Sequence, residues 1–182
     1  MNAMVKFVLF AVATALCRVD LTAAVSCSVA AEGHDHLALS DNRCFILFKN
    51  ALPWDGAMKV CAGLLRGRLA YVEDIPTMVA IEGWLNGVYN PIPAIFQCWL
   101  GLLQVDTSVE PAGGWAWVNS DHSDNHTSTA ANTPWHQGEP NNQGGLENCG
   151  ALANYQGAFG VNDAMCAGGF ELGFICEVNA TP

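Results

Sequence analysis

The sequence predicts an α+β domain, two helices followed by an antiparallel, loop-rich half. Three observations point there. Apolar residues recur at helical spacing over residues 53–65 and again over 74–87. From about residue 96 onward, short apolar runs alternate with stretches rich in Gly, Pro, Asn, Asp, Ser and Thr. Eight cysteines run through the 182 residues, a length that buries one sizeable core.

The first stretch stands outside that core. Lys6 precedes an apolar run over residues 7–17, too short to span a bilayer, and small residues follow at Ala23, Ala24, Ala30 and Ala31. This is the pattern of a secretory signal peptide, taken as 1–24, with cleavage between about residues 17 and 31. A short N-terminal segment (25–42) and one domain (43–182) would remain. No later segment is long and apolar enough to cross a membrane, so a soluble, secreted, extracellular mature protein is expected.

Residues 25–42 read as polar and loop-like. His34 and His36 stand at a spacing that could bind a transition metal, but their surroundings read first as a solvated linker. Residues 43–49 (RCFILFK) form a strand. Pro53 and Asp55 open a helix whose buried face takes Trp54, Ala57, Met58, Cys61, Leu64 and Leu65, with Gly67 at its end. Residues 69–72 make a short strand. A second helix starts near Asp74 with Pro76 in its first turn, buries Val79, Ile81, Trp84 and Leu85, and closes at Asn86 and Gly87. Residues 96–103 (FQCWLGLL) read as a buried strand, and three short strands, around 149–153, 159–161 and 173–178, end the chain.

Charge narrows the partners. The formal net charge is −10, and after Arg68 there is no Lys or Arg at all. Such a surface repels phosphate backbones, heparin and anionic membranes, and it suits divalent cations. Without Cys17, seven cysteines remain, so at least one is free or bonded to another chain. One stretch concentrates side-chain oxygens: Glu139, Asn141, Glu147 and Asn148, then Asn162 and Asp163, with Cys149 and Cys166 beside them. Hard oxygens gathered in this way are the ligands calcium takes.

Cys61 within the first helix, Trp99-Leu100-Gly101-Leu102, Trp135 with Gly138-Glu139-Pro140-Asn141, Glu147-Asn148-Cys149, Asn162-Asp163, Cys166 and Cys176 follow one another in an order that resembles a C-type lectin domain. The resemblance runs from about Cys44 to Glu177. It implies the C-type lectin fold: two helices, two small antiparallel sheets and a long calcium-binding loop region, all stabilised by disulfides. Bridges are implied between Cys61 and Cys176 and between Cys149 and Cys166, with Cys27 and Cys44 matching the extra bridge of the family's long form. Cys98 is left over, as a buried thiol or an intermolecular bridge.

The resemblance further implies a Ca2+ site built from Glu139, Asn141, Glu147, Asn162 and Asp163, with a cis bond before Pro140. The same five residues would bind carbohydrate. Two neighbouring equatorial hydroxyls would each give a proton to Glu139 or Glu147 and accept from Asn162 or Asn141. That suits mannose, N-acetylglucosamine and fucose, whereas the family's galactose binders carry Gln-Pro-Asp and a stacking Trp that residues 142–146 lack. Val161 stands where the family has Trp. A second calcium site would map to Asp106, Glu110, Asn142, Glu147 and Asn148, weakened by Asn at 142 and 148. Asn125 and Asn179 head glycosylation sequons. The loop over residues 121–126 is read as glycosylated rather than as a zinc site.

The expected function is thus that of a secreted, calcium-dependent lectin for mannose-type glycans in innate recognition of microbes, with self-association open. The alternative is a module of the same fold that binds a protein or another non-sugar ligand. A hydrolase using His122, His126 or His136 lacks a nucleophile–base pair or an HExxH spacing, so no enzyme is expected.

Overall fold

The computed structural model describes residues 26–64, 67–119 and 133–180, with the backbone of 124–126. The segment read as a signal peptide lies outside these residues. So do Leu65, Asp121, His122, Thr127 and Thr181.

The chain opens with a single helical turn, α1 (Cys27–Ala30), and the strands β1 (His36–Ala38) and β2 (Arg43–Leu52). Part of the expected linker is therefore structured. His36 pairs with Ile46 and Ala38 with Cys44, so β2 recruits a backbone partner from a polar segment, and the Lys49–Asp35 ion pair at 2.9 Å adds a side-chain tie. The first helix, α2 (Trp54–Gly63), buries Trp54, Ala57, Met58 and Cys61 as its spacing predicts. It stops at Gly63, before Gly67. The strand expected at 69–72 is only β3 (Arg68–Leu69), although Ala70 still joins Ile175 and Gly101 through its backbone.

The second helix, α3 (Ile75–Tyr89), is N-capped by Asp74, whose carboxylate accepts from the Thr77 N–H at 2.7 Å. It runs past Gly87, because the stop is supplied by Asn90 in the left-handed region at φ 40°. Thr77, Ile81 and Leu85 form its buried line, one helical turn apart. Val79 lies off that line and is 54% exposed, so it is not a core residue.

Strands β4 (Ile95–Gln104), β5 (Trp115–Val118), β6 (Asp124–His126), β7 (Glu147–Tyr155), β8 (Ala158–Met165) and β9 (Leu172–Asn179) complete the fold. Among these strands the pairing is antiparallel except between β4 and β9. There Cys98 faces Gly173 and Trp99 faces Phe174 in a parallel contact that joins the two expected small sheets into one network. One core packs on each face: Trp54, Trp99 and Phe174 on one side, and Trp115, Trp117, Leu100 and Leu152 on the other.

Three disulfides fasten the frame, joining Cys27 to Cys44, Cys61 to Cys176 and Cys149 to Cys166. The second links α2 to β9 over a separation of 115 residues. In the chain-entropy model a loop of that order contributes about 4–5 kcal/mol. Cys98 is a free, buried thiol whose ionisation burial disfavours.

A buried carboxylate gathers groups from three further segments. Glu177 on β9, 1% exposed, is held by Arg43 at 3.1 Å and Arg68 at 2.7 Å, and it accepts from the Tyr71 N–H at 3.0 Å. Among the described residues no helix is long and apolar enough to cross a membrane.

Candidate functional site

The site forms where one loop is laid along β8. Trp135 pairs with Val161 in a parallel bridge, the Val161 N–H donates to Pro134 O at 2.9 Å, and the His136 N–H donates to Val161 O at 2.8 Å. These contacts use only the backbone of residue 161, so Val serves there. Gly160 is a strict requirement, because a Cβ on it would lie 2.5 Å from His136 Cα and 2.6 Å from His136 N. The Trp135 ring stands edge-on to Trp115, with centroids 5.0 Å apart.

From this anchor the loop turns back over the strand end. The Glu139 N–H donates to His136 O at 3.0 Å, and the bond between Glu139 and Pro140 is cis. The Asn141 N–H then reaches both oxygens of Asp163 at 3.1 Å, and the Asn142 N–H reaches one of them at 2.7 Å. Asn142 takes the left-handed conformation at φ 46°. A short turn over Gln143–Gly145 brings the Gln143 N–H to the Glu147 carboxylate at 2.7 Å, while Asn142 Oδ1 accepts from the Glu147 N–H at 3.1 Å. In the hairpin of β7 and β8, Gly150 faces Asp163 and Ala151 faces Asn162. Asn162 Nδ2 donates to Asp163 O at 2.6 Å.

Glu139, Asp163 and Glu147 thus share one pocket of negative charge. Burial, a hydrogen bond to Asp163 and the charges of Asp163 and Glu147 push the Glu139 carboxyl up to about 7. Burial and the Asp163 charge raise Glu147 as well, against the opposing pull of the Gln143 N–H. Glu139 Oε2 is buried with no hydrogen-bond partner. An orphaned carboxylate oxygen beside two further carboxylates fits a divalent cation. Asp163 and Glu147 are turned to loop N–H groups, and among the described residues no three His, Cys, Asp or Glu side chains form a ready-made cage.

The residues mapped to a second calcium site hold internal partners. Asp106 accepts from the Ser108 N–H and hydroxyl, Glu110 from Gln104, and Asn142 from Glu147. Asn148 Oδ1 alone is buried without a partner. Asn125 lies on β6, at one end of the strand order, and Asn179 is exposed at the end of β9. His34 packs on Phe48, with ring centroids 4.3 Å apart, and its carbonyl meets His36 Nδ1.

The sequence matches the family profile described as Lectin C-type domain over residues 50–178. The chain belongs to the C-type lectin domain family. Lectoxin-Lio3, a C-type lectin of Erythrolamprus poecilogyrus, is 32% identical over 138 residues, 75% of each chain. Among solved structures, the cow C-type carbohydrate-recognition domain of CD23, determined in the presence of a GlcNAc2Man3 oligosaccharide, has a TM-score of 0.56 and 25% identity. It matches 81% of this chain and 95% of its own. The lectin SPL-2 of Saxidomus purpuratus, described as Ca2+-independent, shares the fold with a TM-score of 0.59 and 20% identity over 81% of this chain and 94% of its own. The family is one of binding domains, which typically take calcium.

The sequence of this lectin domain offers His136 only as a candidate catalytic histidine, whereas in the structure its ring meets Tyr155 edge-on at 5.0 Å. The signal was present in Gly160, whose lack of a side chain admits the His136 backbone.

Proposed function

We propose that this domain binds carbohydrate through a calcium ion held by Glu139, Asn141, Glu147, Asn162 and Asp163. One observation carries the reading: Glu139 Oε2, buried and unpartnered, stands with Asp163 and Glu147 in a half of the chain that supplies no Lys or Arg. Calcium, when bound, supplies open coordination positions for sugar hydroxyls and neutralises most of the carboxylate charge. The protein's own groups set the selection. Glu139 and Glu147 accept hydroxyl protons, while the amides of Asn141 and Asn162 donate to the same oxygens. That pairing favours neighbouring equatorial hydroxyls, hence mannose, N-acetylglucosamine or fucose on microbial glycans.

The same reading takes residues 1–24 as a removed signal, 25–42 as a lead-in and 43–182 as the secreted recognition domain. Asn125 and Asn179 are then glycan acceptors, and self-association provides avidity for innate recognition. Immobilised mannan should retain the protein in calcium and release it in chelator, and Glu139→Gln should not be retained. Retention that survives both treatments overturns the proposal.

A second reading has its own support. Asp163 and Glu147 already hold loop N–H groups, an arrangement that would keep the loop folded without an ion. In that case the surface binds a protein or another non-sugar ligand, and capture of a partner in chelator would favour it.

A further inference from the structure

Two apolar residues flank Glu147, one along the chain and one across the hairpin of β7 and β8. Leu146 directly precedes it and is 62% exposed. Its place is fixed from both sides. The Gly145 N–H donates to Asn142 O at 2.9 Å, the Gln143 N–H to the Glu147 carboxylate at 2.7 Å, and the Glu147 N–H to Asn142 Oδ1 at 3.1 Å. Leu146 therefore belongs to the ring that the Gln143 N–H closes on the Glu147 carboxylate. Gly144 and Gly145 bring no side chains and border open space, so the turn does not cover it.

Met165 stands directly opposite Glu147 in the β7–β8 ladder, which sets the two side chains on one face with Cβ atoms about 5 Å apart. Asp163, two residues earlier on the same strand, shares that face. Asp163 receives the Asn141 and Asn142 N–H groups, so the face of Met165 is the one on which the loop lies. Met165 is half-buried and, like Leu146, packs into neither core. A single exposed leucine is ordinary on a protein surface. Two apolar residues beside one carboxylate, next to a stretch (141–145) of only Asn, Gln and Gly, form a local apolar rim.

We propose that Leu146 and Met165 form a subsite for the acetamido methyl group of an N-acetylated hexose, so that the domain prefers N-acetylglucosamine to glucose. The inference rests on the carbohydrate-binding reading above. In that reading Glu147 accepts a proton from one hydroxyl of the ion-bound pair. With the 3- and 4-hydroxyls of N-acetylglucosamine as that pair and the 3-hydroxyl at Glu147, the acetamido group occupies the adjoining carbon and is directed to the apolar rim. A methyl group is small and uncharged, and a leucine with a flexible thioether suits it. Its contact with them contributes about four-fold in affinity, the scale of one methylene group removed from water.

Glucose and N-acetylglucosamine present the same equatorial 3- and 4-hydroxyls and differ at carbon 2, so the ratio of their affinities isolates the subsite. Both sugars are measured as competitors of immobilised mannan in calcium, for the wild-type domain, for Leu146→Gln, for Met165→Gln and for the double variant. The wild type should prefer N-acetylglucosamine by at least about four-fold, and the double variant should bring the ratio to within about two-fold of unity. A weakened calcium site in a variant lowers both sugars alike and leaves the ratio readable. A wild-type ratio near unity, or a preference that survives the double substitution, would overturn this inference and leave the calcium-dependent lectin standing. If the wild type bound neither mannan nor either sugar in calcium, the parent reading itself would fail.

Discussion

The Asp163 carboxylate receives the Asn141 N–H on both oxygens at 3.1 Å, across 22 residues of sequence. With the Asn142 N–H added at 2.7 Å, one side chain of β8 holds down the loop that carries Glu139 and Asn141. The loop is thus shaped by hydrogen bonds to a strand residue that is 1% exposed. Removing that carboxylate should free the Asn141 and Asn142 amides. Asp163→Ala is expected to speed hydrogen exchange at those two positions by at least about ten-fold and to abolish calcium-dependent sugar binding. Exchange unchanged at both amides would show that the loop is held by other contacts.

Acidification should act in opposite directions on the ion-free and calcium-bound forms. The Glu139 carboxyl lies at about 7 in the folded, ion-free chain, above its ordinary 4.5. A carboxyl raised by folding binds its proton more tightly in the folded state. That contribution is complete below the ordinary value and is lost as pH rises through about 7. The ion-free form should therefore melt higher at about pH 5 than at about pH 7.5, while the increment added by calcium shrinks over the same interval as protons displace the ion. Parallel melting curves with and without calcium at both pH values would contradict this.

Glu177 makes a prediction about the frame rather than the site. It neutralises Arg43 and Arg68 within the protein and caps the Tyr71 N–H. Glu177→Gln should destabilise by about 3–5 kcal/mol, because two guanidinium groups lose their counter-charge together. Denaturant unfolding measures this, and glycan preference should persist in whatever fraction remains folded.

The bridge between Cys149 and Cys166, at a sequence separation of 17, closes the segment that carries Asn162 and Asp163. Replacing both cysteines with Ser should cost about 3 kcal/mol and weaken calcium binding. Loss of the bridge between Cys27 and Cys44, of the same separation, should cost a similar amount and leave calcium affinity alone. Calcium titration of the two double variants separates the cases.

Much of the fold could be read from residue types whose chemistry leaves few choices. The spacing of Trp54, Ala57, Met58 and Cys61 can be satisfied only by a buried helix face, and the three bridges matched the pattern that the resemblance implied. What escaped was set by contacts distant in sequence. Arg43 and Glu177 lie 134 residues apart, and neither carries a local sign of its partner. Val79 repeats the helical period loosely enough to pass for a core residue, and only the direction of the Ile81 and Leu85 line shows it to be outside. At the site, Glu139, Glu147 and Asp163 were legible as oxygen donors. The loop N–H groups that Asp163 and Glu147 hold were not, because backbone donors leave no mark on the sequence.

In the proposed site, Glu139 and its neighbours hold a calcium ion to which the sugar binds. Calcium titration into the ion-free domain near neutral pH, followed by methyl α-mannoside, tests it most directly. Saturable calcium uptake, mannoside heat only afterwards, and loss of both in Glu139→Gln are expected. Mannoside binding that persists in chelator, or calcium uptake unaffected by Glu139→Gln, would contradict it.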